Sequence, residues 1–167
     1  MAKVVLTAVA DDREGLVAAL ASAVADHGGN WLESEMARLA GKFAGIVLVE
    51  VDDAKVDELV DAMDELGALE VRVTRADSPA DADGDHLSLH LVGQDRPGIV
   101  REVARTLAGL GITIDELATE TVPAPMGDGT LFQADARIRL PEGLESAAVR
   151  DALESIAQEL MVDLDLA

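Results

Sequence analysis

Gln94-Asp95-Arg96-Pro97-Gly98-Ile99-Val100 is the stretch on which the reading of this chain turns. It follows an alternating pattern, Leu87, Leu89 and Leu91 against Ser88 and His90, and opens a helical one, Ile99, Val103 and Leu107. A weaker echo, Asp11-Asp12-Arg13-Glu14-Gly15-Leu16-Val17, stands between the same two patterns near the N-terminus. Asp12 and Asp95 are 83 residues apart, and the same offset carries Leu16, Leu20, Val24 and Gly28 onto Ile99, Val103, Leu107 and Gly111. A match over a strand, a loop and a whole helix reads as two copies of one unit.

Working outward from the echo, residues 3–10 form a run that is apolar on both alternating sets, which suits a strand buried on two sides. A helix follows on Leu16, Leu20 and Val24, and Gly28-Gly29-Asn30 stops it. Strands are expected from Trp31 to Leu39 and from Phe43 to Val51, the second again apolar on both faces. Asp52 or Asp53 can cap a second helix on Val56, Leu59, Val60, Met63 and Leu66, and a last strand has Leu69, Val71 and Val73 inward. Strand, helix, strand, strand, helix, strand in so short a span is the split βαβ, ferredoxin-like order. The fold class is therefore α+β: two βαββαβ units, each an antiparallel four-stranded sheet with two helices on one face.

Residues 76–85 break every periodicity and read as a linker between a first domain at 1–75 and a second at 86–167. Asp81, Asp83 and Asp85 have the spacing of a calcium loop, but His86 and Val92 stand where such a loop needs glycine and glutamate, so a solvated acidic linker is the better reading. In the second unit Gln133, Asp135, Arg137 and Arg139 give the third strand a polar face, and the loop from Pro123 to Gly129 is longer than its counterpart at Gly41. The first sheet, apolar on both faces, is expected to be covered by the second half or by another subunit, unless its small residues reflect strand propensity alone.

Composition narrows the function. A chain of 167 residues with a net charge of −20 repels phosphates, and its 13 Lys and Arg residues are scattered, so direct nucleic-acid binding is not expected. The absence of cysteine removes disulfides, thiolate nucleophiles and cysteine metal sites. No signal-like segment and no membrane-length apolar run occurs, which leads to the expectation of a cytoplasmic protein without membrane contact. His27, His86 and His90 lack a metal-ligand spacing, and Glu33 and Glu35, placed on one strand face with Trp31, read as a solvated edge. No nucleophile elbow, phosphate loop or dinucleotide fingerprint is present. Neither an enzyme nor a cofactor is expected.

What remains is the strand-to-helix loop. It offers free backbone amides, the positive end of a helix dipole and a glycine that admits a ligand to the main chain. A carboxylate fits that offer. Pro97 suits a helix's first turn and Asp95 its N-cap, so a merely well-capped helix is the competing reading.

Asp-Arg-x-Gly-[Leu/Ile]-Val at the first turn of each unit, with Gly28-x-Asn30 or Gly111-x-Thr113 opening the second strand, resembles tandem ACT domains, and the arrangement is similar to the glycine cleavage system transcriptional repressor family. The resemblance implies an amino-acid-sensing regulator, with glycine or serine as ligand and a transcriptional activator as protein partner. A homodimer is expected separately, because ferredoxin-like units leave sheet edges and one sheet face to cover. The resemblance implicates Asp12, Arg13, Gly15, Leu16 and Asn30 in the first copy, and Asp95, Arg96, Gly98, Ile99 and Thr113 in the second. Glu14 replaces the expected proline and Thr113 the expected asparagine, so the first copy, which keeps Asn30, is the better candidate for ligand binding. Similar loops in domains of phosphoserine phosphatase and formyltetrahydrofolate deformylase leave a regulatory subunit of a metabolic enzyme as the alternative, and a ligand-free scaffold as the third.

Overall fold

The computed structural model describes residues 1–76 and 84–167. The chain divides into two compact units, Met1–Ala80 and Asp81–Ala167. Most of the expected linker, including Asp81 and Asp83, lies outside the described residues.

In the first unit β1 (Ala2–Asp11), α1 (Leu16–Asp26), β2 (Asn30–Leu39), β3 (Lys42–Val51), α2 (Val56–Asp64) and β4 (Glu70–Arg75) follow the expected order. The second repeats it with β5 (His86–Gln94), α3 (Ile99–Gly109), β6 (Thr113–Pro123), β7 (Thr130–Arg139), α4 (Ser146–Leu160) and β8 (Val162–Leu166). The sheets run β2-β3-β1-β4 and β6-β7-β5-β8, antiparallel throughout. The α+β, doubly ferredoxin-like architecture read from the sequence is the one observed.

Local chemistry explains the punctuation. Ala40 and Gly41 both have positive φ, 49° and 78°, the turn whose twist suits a two-residue hairpin between β2 and β3. Asp52 accepts from the amide of Ala54 at 3.0 Å and caps the short 3-10 turn Asp53–Lys55 that leads into α2. His27 Nδ1 lies 2.8 Å from the carbonyl oxygen of Ala23, so the ring donates to the open end of α1.

The first core is one continuous cluster, in which Val4, Leu6, Leu20, Val49 and Leu59 are sealed between the sheet and the helices. The second falls into two clusters, one around Leu107, Ile138 and Leu153 and a smaller one around Leu91, Ile99 and Val162. A cavity of about 30 Å³, lined wholly by apolar side chains, lies under α3 among Val103, Leu107, Leu117, Phe132, Ala134 and Ala136.

Two expectations are corrected. β1 is buried on one face only: Ala2, Val4, Leu6, Ala8 and Ala10 face the helices, whereas Val9 on the other face is 46% exposed and Ile46, the β3 partner of Thr7, is 52% exposed. Within the unit, both helices lie on one side of the four-stranded sheet, which is why only that face of β1 is sealed. Trp31 also does not share a face with Glu33 and Glu35. A bulge between Trp31 and Glu33 shifts the register, so Trp31 opposes buried Val49 and packs on the core while Glu33 opposes Leu48 on the outer face. An irregular residue of this kind switches the side to which the following side chains point.

Candidate functional site

The two strand-to-helix loops are built alike. Gly15 has φ 85° and ψ 5°, Gly98 φ 95° and ψ 0°, and each is the residue from which its helix departs. In this left-handed conformation a Cβ would crowd the carbonyl, which is why glycine occupies both positions. Ala19 donates to Gly15 O at 2.9 Å and Glu102 to Gly98 O at 3.0 Å, the first helical bonds of α1 and α3. The amides of the preceding residues therefore point out of the helix ends, where they and the dipole can receive an anion.

The helix cap differs from the sequence expectation. Gly98, not Asp95, is the N-cap of α3, neither cap makes a side-chain hydrogen bond, and Pro97 lies in the turn before the helix rather than in its first turn. The positive φ at Gly98 turns the chain abruptly into the helix, which leaves Asp95 three residues upstream beside the hairpin. Asp95 instead donates its amide to Thr130 O at 2.8 Å, as Asp12 donates to Gly41 O at 2.9 Å. Each loop is thus pinned to the adjacent hairpin.

Their side-chain surroundings diverge. Asp12 pairs with Arg38 Nε of β2 at 3.0 Å, and Asp11 is hydrogen-bonded to Lys42 at the start of β3. That hydrogen bond, reinforced by the charge of the Lys42 ammonium, holds the Asp11 carboxyl below its ordinary range. Arg13 is exposed. In the second loop Arg96 reaches the carbonyl oxygen of Glu159 at 3.4 Å, and Thr121 stands at the register position of Arg38. Arg38 and Lys42 are the neighbours that sequence reasoning missed. The signal available was a pair of cations flanking a tight hairpin whose fold returns them to the acidic end of β1.

Leu16 and Ile99 are core residues, 4% and 2% exposed, so they offer a ligand backbone alone. Asn30 is exposed and opposes Glu50, while Asp11 opposes Lys42, eight residues away along β3. At ~3.4 Å per residue this is roughly 27 Å. Thr113 opposes Arg139 and is likewise separated from Gln94, which opposes Leu131. Within one unit the structure therefore brings Asp12, Arg13 and Gly15 together but places Asn30 at the far end of the sheet, and it does the same with Asp95, Arg96, Gly98 and Thr113.

Elsewhere on the second sheet, the bulge between Ile114 and Glu116 leaves Asp115 between His86 Nε2 and Arg139 Nη2, both at 3.1 Å. His90 Nδ1 meets Asp135 at 2.6 Å. The described residues contain no group of three or more His, Asp or Glu side chains that could hold a metal, and no helix long and apolar enough to cross a membrane.

Two split βαβ units, each with a glycine-led helix start, define a tandem ferredoxin-like architecture. The ACT domain family model matches residues 2–73. A UPF0237 protein of Methanocaldococcus jannaschii is 36% identical over 73 residues, which are 40% of this chain and 81% of that protein. The chain belongs to the ACT domain family. The crystal structure of an unknown protein from Galdieria sulphuraria superimposes with a TM-score of 0.86 at 34% identity, covering 99% of this chain and 96% of that one. A protein provisionally named as a glycine cleavage system transcriptional repressor has the same fold, with a TM-score of 0.69 at 16% identity over 99% of this chain and 96% of its own.

Proposed function

We propose that this protein is a non-catalytic, cytoplasmic amino-acid sensor that regulates transcription through a protein partner, with glycine or serine as its ligand. The observation that carries the reading is the pair of glycine-led helix starts, whose outward amides match an α-carboxylate. In the first unit Asn30 supplies a side-chain carbonyl for the ammonium and an amide for the carboxylate. Because Asn30 and the Gly15 loop stand at opposite ends of one sheet, this reading sets the ligand between the Gly15 loop of one copy of the chain and the Asn30 end of a second copy, which calls for self-association. A net charge of −20 directs the output to a protein, such as a transcriptional activator, rather than to operator DNA.

Isothermal titration with a panel of amino acids tests the reading. Glycine or serine is expected to give saturable heat that Asn30→Ala reduces by about tenfold in affinity, the value of one lost charge-assisted hydrogen bond. No heat with any amino acid, together with no thermal shift, would sink it.

A further inference from the structure

The outer face of the first sheet carries a charge pattern that complements itself. Pairing across the strands aligns Glu35 of β2, Ile46 of β3, Thr7 of β1 and Arg72 of β4 in one row. The next row in one direction is Glu33, Leu48, Val5 and Thr74, and in the other Ala37, Ala44, Val9 and Glu70. The centre is apolar and, at Val9 and Ile46, about half exposed, because the unit's own helices lie on the other face. The β2 margin is acidic and the β4 margin holds Arg72. Among the described residues, neither Glu33, Glu35 nor Arg72 has an ion-pair partner in its own chain.

We infer that this face packs against the same face of a second copy of the chain, about a two-fold axis that lies between the sheets and runs parallel to the strands between β1 and β3. Such a rotation exchanges left and right but keeps each row at its height. Glu35 then faces Arg72 of the other copy twice over, Glu33 faces Thr74, and Glu70 faces Ala37. Ile46 and Thr7, and Leu48 and Val5, close the centre. A two-fold perpendicular to the strands would instead set Glu35 on Glu35 and Arg72 on Arg72, which like-charge repulsion excludes. Aligned packing of two sheets some 10 Å apart is a standard arrangement.

The size of the face is adequate. Ten residues each in β1, β2 and β3 and six in β4 give on the order of 600 Å² in projection, and side-chain relief brings this near the roughly 800 Å² that each partner buries in a stable complex. The second sheet does not share the pattern. Its corresponding row is Ala118, Asp135, His90 and Asp165, acidic at the centre and on the β8 margin. The surface is separate from the amino-acid site, whose parts lie at the strand ends, and the inference does not depend on ligand binding.

Sedimentation equilibrium of the full chain tests it by charge reversal. Glu35→Arg and Arg72→Glu each place like charges opposite one another at two symmetric points and are expected to raise the dimer dissociation constant by at least about tenfold. The double variant restores the opposite charges and returns it to the wild-type range. Both side chains are exposed, so circular dichroism of all variants should match the wild type. A monomeric wild type, an association that neither single variant weakens, or single-variant losses that the double variant fails to reverse would each overturn the proposal. Titration calorimetry reads amino-acid binding separately: a protein that binds its amino acid and associates, but whose association ignores the charge reversals, overturns this interface alone.

Discussion

The first and second units share topology, register and loop geometry, yet they distribute their apolar residues differently. In the first, Leu20, Val47 and Trp31 fill the space between α1 and the sheet, Met36 lies over Gly45, and apolar side chains remain for the outer face. In the second the corresponding positions are Val103, Ala136, Ile114 and Thr119, the core splits in two, a small cavity opens under α3, and the outer face is charged. The lesson is that the fold tolerates a less filled interior while its loop geometry is maintained. The unit with the cleaner Asp-Arg-Pro-Gly-Ile-Val motif is the less well packed one, and the family model matches the other.

The largest effect that could break this contrast is on stability. Leu20→Ala, at a fully buried position, is expected to cost about 3 kcal/mol. Val103→Ala, at the same place in the second unit but beside the cavity and half-buried, should cost about 1 kcal/mol. Chemical denaturation of the two variants measures the difference, and equal losses would show that the second core is as tightly filled as the first.

A smaller effect probes what the units share. Gly15→Ala and Gly98→Ala each force a Cβ into a left-handed conformation and should each lose about 1–2 kcal/mol by the same assay. A Cβ at Gly98 would also meet Arg101 Nη2 at 3.2 Å, whereas one at Gly15 meets nothing. The arginine can swing away, so the two losses should be alike. A neutral substitution at either position would separate the loops.

The smallest effect concerns the ion pairs that brace the first loop alone. The carboxyl of Asp11 is held low by Lys42, so the contribution of this pair is present above the ordinary carboxylate value of 3.8 and is lost as pH falls through the depressed value. Carbon-13 titration of Asp11 should show its midpoint rise toward 3.8 in Lys42→Met. An unchanged midpoint would mean that the pair does not persist in solution. The group is fully exposed, so the expected change is in titration rather than in global stability.

Much of this was legible in advance. Helical and alternating periodicities at Leu16, Leu20 and Val24, and at Leu87, Leu89 and Leu91, located the elements because one face of each is buried by the fold itself. The candidate loop was legible because glycine in a strand-to-helix turn reports a backbone conformation. The bulge at Leu32 was not, since an extra residue in a ladder leaves no compositional trace, and it moved Trp31 to the core and Glu33 to the surface. Nor was the capping role of Gly98 in place of Asp95, because a propensity for side-chain capping yields to the angle at which the chain enters the helix.

By itself, the sequence of this protein determined the repeat, the order of elements, the inward faces of the helices and the acidity that disfavours nucleic acid, since these rest on local periodicity and on summed charge. Tertiary structure alone decided which side of β1 its own helices cover, which cations reach Asp11 and Asp12, and that Asn30 and Asp11 stand roughly 27 Å apart along the sheet. Strand pairing brings together residues distant in sequence and separates others that a motif lists side by side.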